Sequence, residues 1–143
     1  MNTNKLKFLI YKFPELGILI AVIMSFIIFN IADDSMADTS TLVRMATQGT
    51  CIGFAAYGMS YLMITGEIDL SSGAVAGLAA AVSGMMLDAG YSEITSYGAA
   101  LSVAALVGFL NSFMTLVLGI PSFFGTLGTS FAASGLTIWL LKG

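Results

Sequence analysis

Histidine is absent from this sequence, and cysteine occurs only once, at Cys51. The usual metal and acyl-transfer sites are built from histidine and cysteine side chains, so they cannot be assembled here. A single thiol also excludes an intrachain disulfide. We therefore expect no metal site and no catalytic residues in this chain.

Charge is equally scarce, since only 9% of the residues are charged and 57% are hydrophobic. A soluble domain carries roughly a quarter charged residues. This composition predicts an all-α membrane protein whose surroundings are the lipid bilayer. The net charge of -3 is spread thinly and gives no basic patch, so no nucleic-acid partner is expected.

Apolar segments recur along the whole chain and predict a polytopic bundle of about five transmembrane helices. Residues 1–143 are interpreted as a single membrane domain without a soluble domain or linker, and residues 1–15 as a short N-terminal segment before the first span. The predicted spans are about Leu16–Ala32, Ala46–Thr65, Ser72–Leu87, Tyr97–Leu118 and Phe123–Leu141.

Lysine placement predicts the orientation, because Lys5, Lys7 and Lys12 all precede the first span. Positive residues stay preferentially on the cytoplasmic side, so the N-terminus should be cytoplasmic and the loop Asp33–Arg44 outside. A signal peptide cleaved after Ser35-Met36-Ala37 is the alternative reading. The long first span and the four apolar segments that follow argue against it.

Small residues recur at helical spacing in the third and fourth spans, a pattern that favours close packing of membrane helices. Packing positions are predicted in particular at Gly77, Gly84, Ala104 and Gly108. A lining role for the same faces is an alternative that is compatible with packing.

The stretch ITGEIDLSSG, from Ile64 to Gly73, places two carboxylates between apolar segments. We interpret it as a helix break in which the third helix begins near Leu70 and Asp69 acts chiefly as its N-cap. The alternative is that these acids mark a solute pathway or a docking surface. Glu67 precedes the cap and is not explained by capping.

Residues Gly66-Glu67-Ile68-Asp69-Leu70-Ser71-Ser72-Gly73 resemble the GxIDLSxG stretch of permease subunits of ribose-, xylose- and galactoside-type ABC importers, in the branched-chain amino acid/sugar permease superfamily. The surrounding sequence agrees with this resemblance. Gly58–Thr65 is similar to the helix that leads into the stretch, Asn111 stands where the family has an asparagine, Ile120–Thr129 is similar to IPPFIVTLGT, and Ser134-Gly135-Leu136 is similar to RGL. Ser122, Gly125 and Ser134 depart from the family's usual residues.

The resemblance implies a transmembrane permease subunit of an ATP-driven importer that moves a small solute, most simply a monosaccharide, across the bacterial inner membrane. Its implied partners are a second permease subunit in a homo- or heterodimer, cytoplasmic ATPase subunits and an extracytoplasmic solute-binding protein. ATP is then hydrolysed on the separate ATPase, so this chain holds no cofactor and is no enzyme; a phosphate-binding GxxxxGK[ST] loop is indeed missing. Family members are longer, and the chain corresponds to their N-terminal half.

Candidate pathway residues lie on one predicted face of the second span, where Thr50, Tyr57, Tyr61 and Thr65 are spaced by seven, four and four. Hydroxyl groups and aromatic faces suit a sugar, although an interior hydrogen-bonding face is the plainer interpretation. The further candidates are Asn111 and the motif residues Gly66, Glu67, Asp69, Leu70, Ser71 and Gly73.

Two other classes of protein remain open from the sequence. A small oligomeric secondary transporter is expected to carry an acid in the middle of a span, whereas the acids here lie at span boundaries or in loops. A truncated membrane subunit that does not transport is the third class.

Overall fold

The computed structural model describes residues 12, 13 and 15–142, and five α-helices lie within residues 15–142. The predicted N-terminal segment 1–15 therefore lies almost entirely outside the described residues. No strand occurs within the described part, so the predicted all-α fold is confirmed. The helices are α1 (Glu15–Ala32), α2 (Thr39–Ile64), α3 (Ser72–Asp88), α4 (Glu93–Leu116) and α5 (Ser122–Leu141), with a 3₁₀ turn at Asp34–Ala37.

Three of these helices, α1, α4 and α5, are long and apolar enough to cross a membrane. Helix α3 is apolar but has 17 residues. At about 1.5 Å per residue it falls a few ångströms short of a hydrocarbon core of about 30 Å. Helix α2 has 26 residues but includes Arg44, Gln48 and several hydroxyl side chains, which lower its hydropathy. By length and composition, three of the five predicted spans are therefore able to cross a membrane.

Residues 1–53 form one of two compact units. Within it, α1 buries none of its side chains, and Ile18 and Ile31 are 70% and 79% exposed. Such an apolar, exposed surface suits contact with lipid. After α1, the Asp33 carboxylate accepts the Ser35 N–H at 2.9 Å. This bond, together with a hydrogen bond from the Ser35 side chain, lowers the pKa of Asp33.

Residues 54–143 form the second unit, in which α3 packs against both α4 and α5, and α4 packs against α5. Its buried apolar side chains are Leu78 and the small side chains of Ala81 and Ala133. Most of the other buried side chains are serine or threonine hydroxyls, at positions 71, 83, 96, 126 and 129. Small side chains let the three helices approach closely, and the hydroxyls then need hydrogen-bond partners inside the bundle.

The small-residue faces are used differently from the prediction. Gly77, Gly84 and Gly108 are exposed, and a Cβ atom added at any of them would meet no atom within 4 Å. Ala104 is half-buried. Sequence spacing identified a face, but in this unit the covered side of α3 is the one that carries Leu78 and Ala81. Packing of helices through these three glycines stays a prediction.

Gly125 is the described glycine at which an added Cβ atom would contact another side chain of the chain. It is buried, and a Cβ atom there would lie 3.5 Å from Met114 Cε and 3.9 Å from Ile120 Cγ2. Gly125→Ala should therefore be tolerated, whereas Gly125→Leu should lower the free energy of unfolding by about 1–3 kcal/mol through overpacking. Denaturant titration of the purified chain in detergent measures this. Gly77→Leu is the matched control, and an equal loss at position 77 would contradict the packing described here.

Candidate functional site

The break between α2 and α3 begins with a helix termination that requires glycine. Gly66 has φ of +79°, its N–H donates to the carbonyl of Met63 at 3.1 Å, and the Glu67 N–H donates to the carbonyl of Leu62 at 2.9 Å. This pair of bonds is a Schellman motif, in which the left-handed residue is most often glycine. The predicted break is therefore present, and Gly66 ends α2.

Asp69 stabilises the break in a different way from the prediction. Helix α3 begins at Ser72 with Ser71 as its N-cap, so the expected start near Leu70 with Asp69 as N-cap is wrong by two residues. Asp69 Oδ1 instead accepts the backbone N–H of Ser71 at 2.7 Å and the Ser71 hydroxyl at 2.6 Å. An aspartate whose side chain accepts the backbone N–H two residues ahead forms an Asx-turn. The helix then begins after this turn, at Ser72.

Helix α5 supplies hydrogen bonds to the backbone of the break. The Ile68 N–H donates to Ser122 Oγ at 3.1 Å, and the Leu70 N–H donates to Thr126 Oγ1 at 3.1 Å. Thr126 is 4% exposed, and its hydroxyl lies 2.7 Å from the carbonyl oxygen of Ser122. Non-helical backbone in an apolar bundle must find such partners, and two hydroxyls of α5 provide them.

Helix α4 is tied to the break through Asn111. Its Nδ2 donates to Ser71 Oγ at 2.9 Å, and its Oδ1 accepts the Thr129 hydroxyl at 2.8 Å. Ser71 and Thr129 are buried, with 1% and 8% exposure. We call Asp69, Ser71, Asn111 and Thr129 the Asp69–Asn111 network; it links the break, α4 and α5 by side-chain hydrogen bonds.

A cleft of about 510 Å³ lies beside this network. Its exposed lining is mostly apolar, and hydroxyl, amide and carboxylate side chains contribute the smaller polar part. The lining residues are Leu62, Thr65, Glu67, Ile68, Asp69, Gly108, Asn111, Ser112, Thr115, Leu116, Ser122 and Thr126.

Of the predicted pathway residues, Thr65, Glu67, Asp69 and Asn111 meet in this cleft. Gly108, predicted as a packing position, also lines it. The motif residues Gly66, Leu70, Ser71 and Gly73 do not line the cleft.

The two predicted tyrosines do not line the cleft. Their hydroxyls are 2.8 Å apart and their rings meet edge to face, with Tyr57 66% and Tyr61 59% exposed. Thr50 belongs to the first unit, where its hydroxyl donates to the Ala46 carbonyl at 2.7 Å.

Sequence reasoning missed the hydroxyls of α5. Ser122 and Thr126 lie 54 and 58 positions from their hydrogen-bond partner Ile68, so only helix packing brings them to the break. Thr129 is likewise far from the motif. The available signal was hydroxyl residues recurring at one-turn spacing from Ser122, in the segment whose family resemblance was noted.

The cleft has acidic side chains without a fixed countercharge among the described residues. Glu67 is half-buried, and its side chain forms no hydrogen bond or ion pair with any of them. In the described part of the chain, no three His, Cys, Asp or Glu residues are grouped as a metal site would require. The cleft therefore holds two carboxylates, Glu67 and Asp69, in a mostly apolar lining.

Comparison with known proteins adds independent information. Residues 41–143 match the family model described as branched-chain amino acid transport system / permease component. The autoinducer 2 import system permease protein LsrC of Escherichia coli strain SMS-3-5 is 34% identical over 115 residues, or 80% of this chain and 34% of that protein. LsrC of Photorhabdus laumondii is 32% identical over 135 residues, or 94% of this chain and 40% of that protein. No solved structure matches this chain.

The extent of these matches shows which part of the relatives the chain corresponds to. The chain spans less than half the length of these relatives, 34% and 40% in the two cases. The matched region includes the break, the cleft and the whole Asp69–Asn111 network. These relatives are transport permease components and not enzymes. The family resemblance read from the sequence is thus confirmed, and this membrane protein belongs to the permease-component family of ABC importers.

Proposed function

We propose that this chain is the membrane-spanning permease part of an ATP-driven importer in a bacterial inner membrane, with a cytoplasmic N-terminus. Its solute is a small neutral molecule rich in hydroxyl groups, of the size of a monosaccharide. The relatives are named for import of autoinducer 2, which we include among the candidate solutes.

The cleft at the helix break is the observation that carries this proposal. Its volume of about 510 Å³ falls within the range typical of small-molecule sites. Hydroxyl and amide groups in an apolar bundle suit a solute that must exchange its hydration for protein hydrogen bonds. Two carboxylates, Glu67 and Asp69, disfavour an anionic solute by like-charge repulsion.

ATP as the energy source, with hydrolysis on a separate ATPase, is supported by membership in the family. A second permease subunit and a solute-binding protein complete the assembly that we propose. The position of the acids agrees with this energy source, since Glu15 and Glu93 lie in the first turns of α1 and α4, and α5 contains no acid. Coupling to protons is expected to need an acid well inside a span.

Uptake by cells tests the function. A strain in which the gene is disrupted should lose uptake of one of radiolabelled D-ribose, D-xylose, D-galactose or autoinducer 2, and a plasmid copy should restore it. Depleting ATP should abolish this uptake, whereas a protonophore at constant ATP should leave the rate of uptake unchanged. Uptake that survives ATP depletion and follows an ion gradient would indicate a secondary transporter. Unchanged uptake of all four solutes would indicate a subunit that does not transport.

A further inference from the structure

The hydrogen bonds of the Asp69–Asn111 network have a fixed direction. Ser71 has one hydroxyl proton, and an ionised carboxylate can only accept. Because Ser71 Oγ lies 2.6 Å from Asp69 Oδ1, that proton is committed to Asp69. The Ser71 oxygen must then accept from Asn111, whose Nδ2 is 2.9 Å away.

The direction of the Asn111–Ser71 bond also fixes the direction of the bond between Asn111 and Thr129 of α5. With its nitrogen facing Ser71, the Asn111 amide turns its carbonyl oxygen toward Thr129. The Thr129 hydroxyl therefore donates to Asn111 Oδ1 at 2.8 Å, although the Thr126 carbonyl lies within 3.0 Å as an alternative acceptor. The charge on Asp69 and the hydroxyl of Thr129 thus hold the Asn111 amide in one orientation from its two ends.

The oriented amide presents a donor at the cleft. Asn111 Nδ2 carries two protons, of which one is used by Ser71, and the other has no partner among the described residues. Asn111 and Asp69 both line the cleft. Asn111 Nδ2 and Asp69 Oδ1 both lie within 3 Å of the same Ser71 oxygen, which brings an N–H donor and a carboxylate acceptor near each other in two residues of the cleft lining.

We propose that Asn111 and Asp69 form a binding subsite for two neighbouring hydroxyl groups of the solute. One hydroxyl accepts from the free N–H of Asn111, and the other donates to the Asp69 carboxylate. Ser71 and Thr129 are positioning residues that act through Asn111. This inference rests on the proposed function, because it places the transported solute in the cleft.

Thr129 allows a sharp test because it does not line the cleft and its hydroxyl donates to Asn111 Oδ1. Thr129→Val removes the hydroxyl, Thr129→Ser keeps it, and Thr137→Val is the control. Thr137 lies two turns further along α5 and donates to the Ala133 carbonyl at 2.8 Å. Asp69→Asn removes the charge and keeps an oxygen acceptor, and it provides a second variant if Thr129→Val does not fold.

The readout is the side-chain amide signal of Asn111 in the full chain, labelled with ¹⁵N in asparagine side chains and held in lipid nanodiscs. Asparagine occurs only at positions 2, 4, 30 and 111, so the spectrum is simple. At least one of D-ribose, D-xylose, D-galactose and autoinducer 2 should shift the Asn111 signal in a saturable way. Loss of one hydrogen bond to the solute should raise the half-saturating concentration about tenfold. We expect this rise in Thr129→Val, where Asn111 is no longer held in place, and in Asp69→Asn, where the carboxylate that accepts from the solute is removed. Thr129→Ser and Thr137→Val should stay within about twofold of the wild type.

The outcomes separate this inference from the function on which it rests. If cells take up a solute that leaves the Asn111 signal unmoved, the subsite is refuted while the transport function stands. Equal half-saturation in Thr129→Val and Thr137→Val refutes the positioning role. If none of the four solutes is taken up or shifts the signal, the proposed function fails together with the subsite.

Discussion

Asp69→Ala should lower the free energy of unfolding of the purified chain by about 2–3 kcal/mol, because it leaves buried donors without an acceptor. The Asp69 carboxylate accepts both the backbone N–H and the hydroxyl of Ser71, and Ser71 is 1% exposed. Neither donor has a second acceptor in the described part of the chain, since the Asn111 atom that faces Ser71 is the donor Nδ2. Denaturant titration in detergent, followed by circular dichroism, measures the change.

Asp69→Asn is the informative companion, since its side-chain oxygen can still accept the Ser71 N–H. We expect it to stay within about 1 kcal/mol of the wild type. Asp88→Ala is the control for removing an aspartate, because Asp88 is the exposed last residue of α3 and acids are unfavourable at helix C-termini. A loss at position 88 as large as that at position 69 would contradict the role assigned to Asp69.

Asn111→Leu should cost about 1–3 kcal/mol of unfolding free energy and abolish solute uptake. Leucine matches asparagine in size, so the change removes hydrogen bonds and leaves little cavity. It cuts the link from Ser71 on the break to Thr129 on α5, which Asn111 provides through bonds of 2.9 Å and 2.8 Å. Hydrogen bonds between membrane helices average only about 0.6 kcal/mol. A loss of unfolding free energy near ~1 kcal/mol would therefore agree with bonds of this kind.

Asn30→Leu is the matched control for this substitution. Asn30 is half-buried, and its Oδ1 atom is buried without a hydrogen-bond partner among the described residues. Replacing an amide whose oxygen is unsatisfied by an apolar side chain should be neutral or stabilising. If Asn30→Leu destabilised the chain as much as Asn111→Leu, the cost could not be assigned to the network.

Much of the fold was predictable because apolar segments report directly on helices. The fifth segment was placed at Phe123–Leu141 and the helix is Ser122–Leu141. Helix starts were less accurate. Helix α4 begins at Glu93, before the predicted Tyr97, because Ser92 accepts the Thr95 N–H and caps a polar first turn. Helix α2 begins at Thr39 for a similar reason: its first turns are polar and give no hydropathy signal.

The site was predictable only where the chain itself carried a local signal. Two acids between glycines identified the break, and the family resemblance identified Asn111. The hydroxyls of Ser122, Thr126 and Thr129 could not be placed there from spacing alone, since their role depends on how α5 packs against the break. The glycine faces show the same limit, because periodicity defines a face but not the element that covers it.

The most direct test of this account is whether the break contacts the start of α5 in the membrane. The Ile68 nitrogen lies 3.1 Å from Ser122 Oγ, so Ile68→Cys with Ser122→Cys, in a Cys51→Ser background, should form an intrachain disulfide under mild oxidation. Ile68→Cys with Ile94→Cys is the control. Residue 94 lies at the far end of α4, about 33 Å along the helix from Leu116 at about 1.5 Å per residue. The account predicts a cross-link in the first pair and none in the second, by mass spectrometry of native membranes. No cross-link in the first pair, or equal yields in both, would contradict it.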